Sequence, residues 1–410
     1  MSEAKLENHL SRRDFLVGAG AAASLTIIKP DLVRGTVANS RIKLGLIGCG
    51  GRGQWIMELF KKHGGYEIHA GHDYFADRVN EFGDKFGIPK NRRFTGLYGY
   101  RGLLASGVEA VAIESPPYFH PQQAAEAVES GAHVYLAKPI AVDVPGCRTV
   151  EQSGQKAAQK GLVFLVDFQT RANPFFIEAL KRVHAGALGK LAFGEAIYHA
   201  DTPFAHMHPY VDKEKPSAED WLRAWGLSRE LSGDIITEQN IHTIDVMSWI
   251  MNCEPVKAAG TCGHLMRSPK YCHDYFSLVF EYPDHVAVTF SSRQFNGFGT
   301  QPEGIRNRMF GSKGVLETEY GGRVLIRGDN FYKGGTTEGI YGEGAEANIA
   351  AFYKSITAGD VMNPTVAPSV RSNLVTLLGR KAAYEGRPVT WAELMSDQEK
   401  LEFDLNGLEP

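Results

Sequence analysis

The sequence predicts an α/β protein with two folded domains. The first is built on a doubly wound parallel sheet, and the second is an α+β domain with a large open, mostly antiparallel sheet. Strand-like and helix-like segments alternate over residues 41–166, which is typical of βαβ units. Beyond residue 170 the runs lengthen and alternate apolar with polar residues, which indicates antiparallel strands with one covered face. A chain of 410 residues is longer than one hydrophobic core usually organises, so we place two domains at 39–168 and 169–410.

The first 38 residues are typical of an export signal. Arg12 and Arg13 precede a stretch of small and apolar residues, and a cleavage site follows at Ala38. The apolar run at 15–28 has 14 residues, fewer than the roughly 20 that span a bilayer, so no membrane anchor is expected after processing. The sequence thus predicts export by the twin-arginine pathway, to the periplasm or beyond.

Composition argues against several kinds of partner. The chain is 43% apolar and 22% charged, with a net charge of −3 and no block of like charges, so nucleic acid is not expected to bind. Cysteines stand at 49, 147, 253, 262 and 272 without metal-ligand spacing. Free thiols are favoured over a bridge among the last three.

The elements of the first domain follow from short apolar runs separated by helical patterns. The expected strands are 42–47, 67–71, 93–95, 110–114, 133–136 and 162–166, with helices at 121–130 and 144–160. In the second domain we expect a helix at 174–185, strands at 192–199, 256–265, 275–282 and 286–293, and late helices at 345–358 and 368–386. The last of these helices is placed to pack back on the first domain.

A glycine-rich turn follows the first strand and opens a helix. Gly48, Gly50 and Gly53 have the G-x-G-x-x-G spacing of a dinucleotide-binding Rossmann domain, and Arg52 lies within the motif. The glycines permit a tight turn and let the backbone approach a pyrophosphate, which the positive end of the helix attracts. The sequence therefore predicts a dinucleotide cofactor.

Asp73 indicates which dinucleotide binds. It stands 20 residues beyond Gly53 at the end of the second strand, where an acid binds ribose hydroxyls. A carboxylate there repels a 2′-phosphate, so NAD is favoured over NADP. The alternative is that Asp73 caps the helical segment 75–86.

Polar residues follow two neighbouring strands at the carboxyl edge of this sheet, where such sheets hold ligands. Ser115 and His120 follow the fourth strand and are expected to contact the cofactor, while Lys138 follows the fifth. A partly desolvated lysine beside an oxidised nicotinamide is suited to exchange a proton with a substrate hydroxyl. The alternative is a solvated lysine before a turn-forming proline.

In the second domain, Glu238, His242 and Asp245 have the spacing of neighbours on one helix face. Two carboxylates beside an imidazole are costly to bury unless a ligand or hydrogen-bond partner satisfies them, so this is a candidate active-site face. His242 would accept a proton and Glu238 would orient it. A metal site including His199, Asp201, His206 and His208 is the disfavoured alternative, because the spacing lacks a compact signature.

Together these motifs resemble the Gfo/Idh/MocA family of sugar and cyclitol oxidoreductases, over essentially all of the chain after the export signal. The resemblance implies that Lys138 shares catalysis with Glu238 and His242, at positions where the family has a lysine, an Asp and a His. This chain departs from the family pattern at Ala137, where the family has Glu before the lysine, and at Glu238, where it has Asp.

The resemblance also implies that Gln169 approaches the cofactor, and that Arg171 approaches the substrate or stabilises the domain junction. Substrate hydroxyls would meet His199, Asp201, His208 and Asp245 in the second domain.

The expected protein is an exported, NAD-dependent oxidoreductase that transfers a hydride between nicotinamide and a ring carbon of a sugar or cyclitol. The cofactor is expected to stay tightly bound, and a homodimer or homotetramer is expected from symmetry. One alternative is a redox-neutral, NAD-dependent glycosidase of the same family. The other is a non-catalytic sugar-binding protein on a Rossmann frame.

Overall fold

The first sheet lies at the amino-terminal end of the folded chain. The computed structural model describes residues 41–362 and 364–410, so the predicted export signal lies outside the described residues. Six parallel strands have the order β3-β2-β1-β4-β5-β6. The order reverses direction between β1 and β4, which confirms the doubly wound sheet. The strands are β1 (Ile42–Ile47), β2 (Tyr66–His72), β3 (Arg93–Phe94), β4 (Ala110–Ile113), β5 (His133–Ala137) and β6 (Phe164–Asp167).

Helices cover both faces of this sheet, so its central strands are buried except at Lys43 near the start of β1, as their apolar runs require. Helix α1 (Gly51–His63) begins within the glycine motif, and the residue after its end, Gly64, has a φ of 81° that suits a left-handed cap. Asp143 caps α5 by accepting a hydrogen bond from the Gly146 amide at 2.7 Å. The helices are α1 (Gly51–His63), α2 (Ala76–Phe86), α3 (Tyr100–Ala105), α4 (His120–Ser130) and α5 (Val144–Gln159).

The second sheet has nine strands in the order β14-β13-β12-β11-β7-β10-β9-β8-β15. Every neighbouring pair is antiparallel except β7 and β10, so the predicted open and mostly antiparallel sheet is confirmed. The strands are β7 (Leu191–Ala200), β8 (Lys257–Gly263), β9 (Tyr275–Glu281), β10 (Ala287–Gln294), β11 (Gly304–Gly311), β12 (Gly314–Glu319), β13 (Arg323–Gly328), β14 (Tyr332–Thr336) and β15 (Val389–Thr390).

Helices pack on one face of the second sheet and connect it to the first. Helix α14 (Val366–Glu385) contacts α5 and β6 of the first domain as well as α12 (Ile241–Met251), β8 and β9 of the second. Helix α13 begins five residues earlier than the sequence pattern indicates and packs against α1. The helices are α6 (Gln169–Ala172), α7 (Pro174–His184), α8 (His208–Val211), α9 (Ala218–Arg223), α10 (Arg229–Ser232), α11 (Ile235–Glu238), α12 (Ile241–Met251), α13 (Ile340–Ala358), α14 (Val366–Glu385) and α15 (Trp391–Ser396).

One continuous apolar core joins the two sheets, and residues 42–410 form one compact unit. The five cysteines are free thiols; Cys272 is buried, whereas Cys253 and Cys262 are half-buried. Within the described part of the chain, no helix has the length and apolar character needed to cross a membrane. The shared core fixes the carboxyl edge of the first sheet against the helices of the second domain.

Candidate active site

The glycine turn is tightly packed on its protein side and open on the other. Gly48 has a φ of 95°, and a Cβ there would lie 2.6 Å from the Ser115 amide nitrogen. A Cβ at Gly53 would lie 1.9 Å from the Gly48 carbonyl oxygen. At Gly50 a Cβ would meet only Arg78, at 3.9 Å. The backbone therefore leaves open space at the start of α1, where its free N–H groups favour a phosphate.

A cavity of about 350 Å³ lies over this turn, and we call it the nucleotide cavity. Its first-domain wall includes all three motif glycines, Arg52, Asp73 and Ser115, which the sequence predicted for the cofactor site, and also Glu114, which it did not; the predicted residues His120, Lys138 and Gln169 are not part of this wall. Its second-domain wall comes from the aromatic segment around α8 and α9. That wall includes Phe204, His206, Tyr210, Arg223 and Trp225. The open cradle and the residues around it fit a dinucleotide.

Asp73 binds the backbone at the glycine turn and just before α2, although it is not the N-cap residue of that helix. One carboxylate oxygen accepts a hydrogen bond from the Cys49 amide at 2.8 Å, and the other accepts one from the Phe75 amide at 3.0 Å. The carboxylate thus holds the glycine turn and the start of α2, and burial raises its pKa. Each oxygen has a second lone pair, so Asp73 can still accept hydrogen bonds from ribose hydroxyls.

His120 occupies a different position from the one predicted. It is fully buried, and its ring nitrogens lie 2.7 and 2.8 Å from the carbonyl oxygens of Ser115 and Pro139. It therefore ties the loop after β4 to the loop after Lys138, rather than lining the nucleotide cavity. Ser115 does line the cavity, and its hydroxyl donates to Gln123.

Arg52 is the centre of a buried ion network. Its guanidinium donates to Glu114 at 3.1 Å, to Asp167 at 2.6 Å and to the Tyr341 hydroxyl at 2.7 Å. Gln169 donates to Asp167 at 2.9 Å, so this predicted cofactor residue supports the network. Burial, helped by Asp167 and opposed by Arg52, raises the pKa of Glu114 to about 7.

Lys138 connects the two domains at the end of β5. Its ammonium group donates to the Glu238 carbonyl oxygen at 2.8 Å and lies 3.4 Å from the Glu238 carboxylate. Their side chains are 12% and 9% exposed, which excludes the alternative of a solvated lysine. The contact joins the carboxyl edge of the first sheet to the last residue of α11.

The prediction of one helix through Glu238, His242 and Asp245 is wrong. Helix α11 ends at Glu238 and α12 begins at Ile241, so the three side chains do not share one face. Glu238 binds Lys138, and His242 Nδ1 has no hydrogen-bond partner, so the expected orientation of His242 by Glu238 is not observed. Burial, followed by the charges of Lys138 and Arg52, holds the pKa of His242 well below its usual value. The imidazole is therefore neutral near pH 7 and able to accept a proton.

Several buried polar atoms around this site lack a partner within the described residues. Native proteins leave few such atoms, so a cluster of them indicates a place where ligand or solvent binds. His242 also lies against Tyr320, with ring centroids 5.3 Å apart. The unpartnered atoms are Glu114 Oε1, Gln169 Oε1, Glu238 Oε2, His242 Nδ1 and Tyr320 OH. A hydroxylated ligand would supply the hydrogen bonds that they lack.

Arg171 and Asp245 bind each other, so their prediction as substrate residues is wrong. Asp245 is fully buried, and it accepts hydrogen bonds from Arg171 at 2.8 to 3.0 Å and from the Ser372 hydroxyl at 2.6 Å. The pair joins α6, α12 and α14. This is the alternative role, stabilising the domain junction, that the sequence left open for Arg171.

His199 lies on the opposite face of its strand from the site. Alternation along β7 buries Tyr198 under the helices, where its hydroxyl donates to Gln239 beside Glu238. His199 therefore faces the other way and contacts Ser291 and the Pro302 carbonyl. Tyr198 was not among the predicted site residues, although the alternating apolar pattern that predicts β7 also places it on the covered face.

The other two predicted substrate residues are also outside the site. Asp201 is 77% exposed and lies 3.5 Å from Arg293. His208 packs against Tyr271 with ring centroids 5.1 Å apart, whereas His206 lines the nucleotide cavity. Among residues 41–362 and 364–410, no group of three or more His, Cys, Asp or Glu side chains is arranged to hold a metal ion.

The fold and the nucleotide cavity define a Rossmann-type, NAD-binding protein, and sequence comparison agrees. Residues 42–168 match the model of an oxidoreductase family with an NAD-binding Rossmann fold, and residues 176–317 match the GFO/IDH/MocA C-terminal domain. The chain belongs to the GFO/IDH/MocA family.

Individual relatives share parts of the chain. A glycosyl hydrolase family 109 protein of Shewanella baltica is 30% identical over 215 residues, which is 47% of this chain and 46% of that protein. A myo-inositol dehydrogenase of Streptomyces leeuwenhoekii is 26% identical over 220 residues, or 52% of this chain and 59% of that enzyme. The chain thus spans about half the length of the curated relatives it matches.

Solved structures share the fold over most of the chain. A levoglucosan dehydrogenase in complex with NADH and levoglucosan has a TM-score of 0.68 and 17% identity, covering 85% of this chain and 99% of that one. A myo-inositol 2-dehydrogenase from Lactobacillus plantarum has a TM-score of 0.64 and 19% identity, with coverage of 85% and 99%.

The Arg171–Asp245 pair predicts a stability effect. Replacing Arg171 by Ala leaves a buried carboxylate without its cation, so we expect the free energy of unfolding to fall by about 3–5 kcal/mol. Urea denaturation measures this change. The control is Lys62→Ala, which removes an exposed pair with Glu346 and should cost less than about 1 kcal/mol. Equal effects of the two substitutions would contradict a structural role for Arg171.

Proposed function

We propose that this protein is an NAD-dependent oxidoreductase that transfers a hydride between nicotinamide and a ring carbon of a sugar or cyclitol. The observation that carries the proposal is the contact between Lys138 and Glu238 next to the Arg52 network, where the charge of Lys138 also acts on the buried His242 and several polar atoms lack partners. The dehydrogenases among its relatives and structural neighbours support the same reaction class.

Each residue has a distinct proposed role in oxidation of a substrate hydroxyl. NAD supplies the hydride acceptor at nicotinamide C4. His242 accepts the hydroxyl proton, because burial keeps its imidazole neutral. The Lys138 ammonium stabilises the negative charge that develops on the substrate oxygen. Glu238 holds Lys138 in place and offers its free oxygen to a second hydroxyl.

We expect Lys138→Ala and His242→Ala each to lower kcat by roughly 10²-fold or more, because each removes a group that handles the proton or its charge. A panel of sugars and cyclitols, followed by the absorbance of the nicotinamide, measures the activity, and calorimetry checks that NAD still binds. Lys156→Ala is the control, because Lys156 on α5 forms an exposed pair with Glu129 on α4. Unchanged turnover in both site variants would contradict a catalytic role.

The glycosidase alternative is retained because glycosyl hydrolase family 109 proteins are among the relatives. The same purified protein distinguishes the two activities. Release of p-nitrophenol from aryl glycosides without net NADH formation would select the glycosidase. Accumulation of NADH with a polyol would select the dehydrogenase.

We also propose that the cofactor stays bound between turnovers, held by the segment 397–410, which we call the C-terminal strap. The strap hydrogen-bonds to the cavity wall: the Leu97 amide donates to the Glu409 carbonyl at 3.0 Å, and the Glu409 amide donates to the Tyr74 hydroxyl at 3.1 Å. Phe403 and Leu408 pack in a cluster with Tyr74 and other aromatic residues of that wall.

Loosening the strap should release the cofactor faster. We expect Phe403→Ala to accelerate NAD dissociation several-fold, because it removes an aromatic anchor of the strap. Native mass spectrometry of the purified protein and stopped-flow fluorescence measure occupancy and dissociation. Glu402→Ala, at an exposed strap position, is the control and should behave as the unmodified protein. A protein that is purified empty and binds NAD only at millimolar concentration would contradict tight retention.

Export by the twin-arginine pathway is a further proposal, and it rests on Arg12 and Arg13 in the sequence. The pathway carries folded proteins, so a cofactor loaded in the cytoplasm could travel with the chain. Cell fractionation tests it: replacing both arginines by Lys should leave the protein in the cytoplasm. The homodimer or homotetramer stays a prediction.

A further inference from the structure

Glu114 is a buried carboxylate whose second oxygen is unused. Its side chain is 1% exposed, one oxygen accepts from Arg52, and the other has no hydrogen-bond partner within the described residues. The residue lines the nucleotide cavity directly after β4. A buried hydrogen-bond acceptor that has no donor lowers the stability of the protein, unless a ligand offsets the lost solvation.

The topology of the sheet places Glu114 at one end of the cavity. A dinucleotide lies across the carboxyl ends of the strands at the point where their order reverses, here between β1 and β4. Asp73, after β2, is positioned for the ribose on the adenine side. Glu114 and Lys138, after β4 and β5, therefore lie on the side of the nicotinamide ring.

The charges around Glu114 are almost balanced. Four ionisable groups face it. They are Arg52 from α1, Tyr135 from β5, Lys138 directly after β5, and Asp167 from β6. Glu238 adds a further carboxylate beside Lys138. The cations of this cluster are Arg52 and Lys138. When Glu114 is ionised, the carboxylates are Glu114, Asp167 and Glu238, so the cluster carries one net negative charge. A single positive charge at the open end of the cavity would neutralise it.

We propose that Glu114 discriminates between the two redox states of the bound nucleotide, its carboxylate favouring the oxidised, positively charged nicotinamide over the neutral reduced ring. Glu114 is thus a positioning residue that biases the bound pair toward NAD⁺. This proposal rests on NAD binding and deepens the proposed oxidoreductase function.

The protonation of Glu114 gives the proposal a pH signature. The pKa of Glu114 is about 7 without nucleotide, because burial raises it. A positive ring nearby lowers that pKa, so binding of NAD⁺ near pH 7 expels a proton to the buffer, whereas binding of NADH does not. By linkage, NAD⁺ affinity rises with pH through this window and NADH affinity stays level.

The test measures both affinities by calorimetry on nucleotide-free protein, in two buffers of different ionisation heat, from pH 6 to pH 8. We expect NAD⁺ to bind about tenfold more tightly at pH 8 than at pH 6, with proton release, and NADH affinity to change less than about twofold. Glu114→Gln should abolish the pH dependence and weaken NAD⁺ about tenfold at pH 8 while sparing NADH.

Glu109→Gln is the matched control, because Glu109 stands at the opposite end of β4 and is exposed. It should bind both nucleotides as the unmodified protein does. Equal loss of NAD⁺ and NADH in Glu114→Gln, or pH-independent NAD⁺ binding in the unmodified protein, would overturn the inference. If the variant does not fold, the pH series on the unmodified protein decides alone. Failure of the oxidoreductase proposal would appear separately, as bound nucleotide that no polyol reduces.

Discussion

The hydrogen bond from the Lys138 ammonium to the Glu238 carbonyl oxygen is the contact on which the site depends. This hydrogen bond joins the first sheet to the second domain, and it holds the Lys138 ammonium where little solvent reaches it. A buried ammonium is tolerable only where acceptors surround it. The contact therefore fixes the distance between the domains, and its cation adds to the burial that holds the pKa of His242 below its usual value.

The neighbouring Arg52 network applies the same principle to the cofactor. Its guanidinium donates hydrogen bonds to Glu114 after β4, Asp167 in β6 and Tyr341 in α13. These bonds hold the glycine turn, the sheet edge and a late helix together. Asp73 secures the other side of the turn through two backbone amides. The nucleotide cavity is thus shaped by charged groups that mostly satisfy one another.

The departures from the family pattern are compensated in three dimensions. Ala137 replaces the acid expected before the lysine, but Glu114 from the adjacent strand brings a carboxylate into the same charge cluster. Glu238 replaces an expected Asp and, from the end of a short helix, reaches Lys138 with both its carbonyl and its carboxylate. The same types of charge are therefore present, supplied by different positions of the chain.

Fold class, the strands of the first sheet, four of the nine strands of the second, the glycine turn, Asp73 and the position of Lys138 could be predicted from the sequence, because each depends on local periodicity, on short-range spacing, or on the rule that parallel strands end at one edge. The roles of His199, His120, Arg171 and Asp245 could not be predicted in this way. Which face of β7 is covered, where the chain breaks between α11 and α12, and which buried charges pair all depend on contacts between residues far apart in sequence. Spacing along the chain carries no information about such contacts, because the desolvation that drives them arises only when the two domains close on a common core.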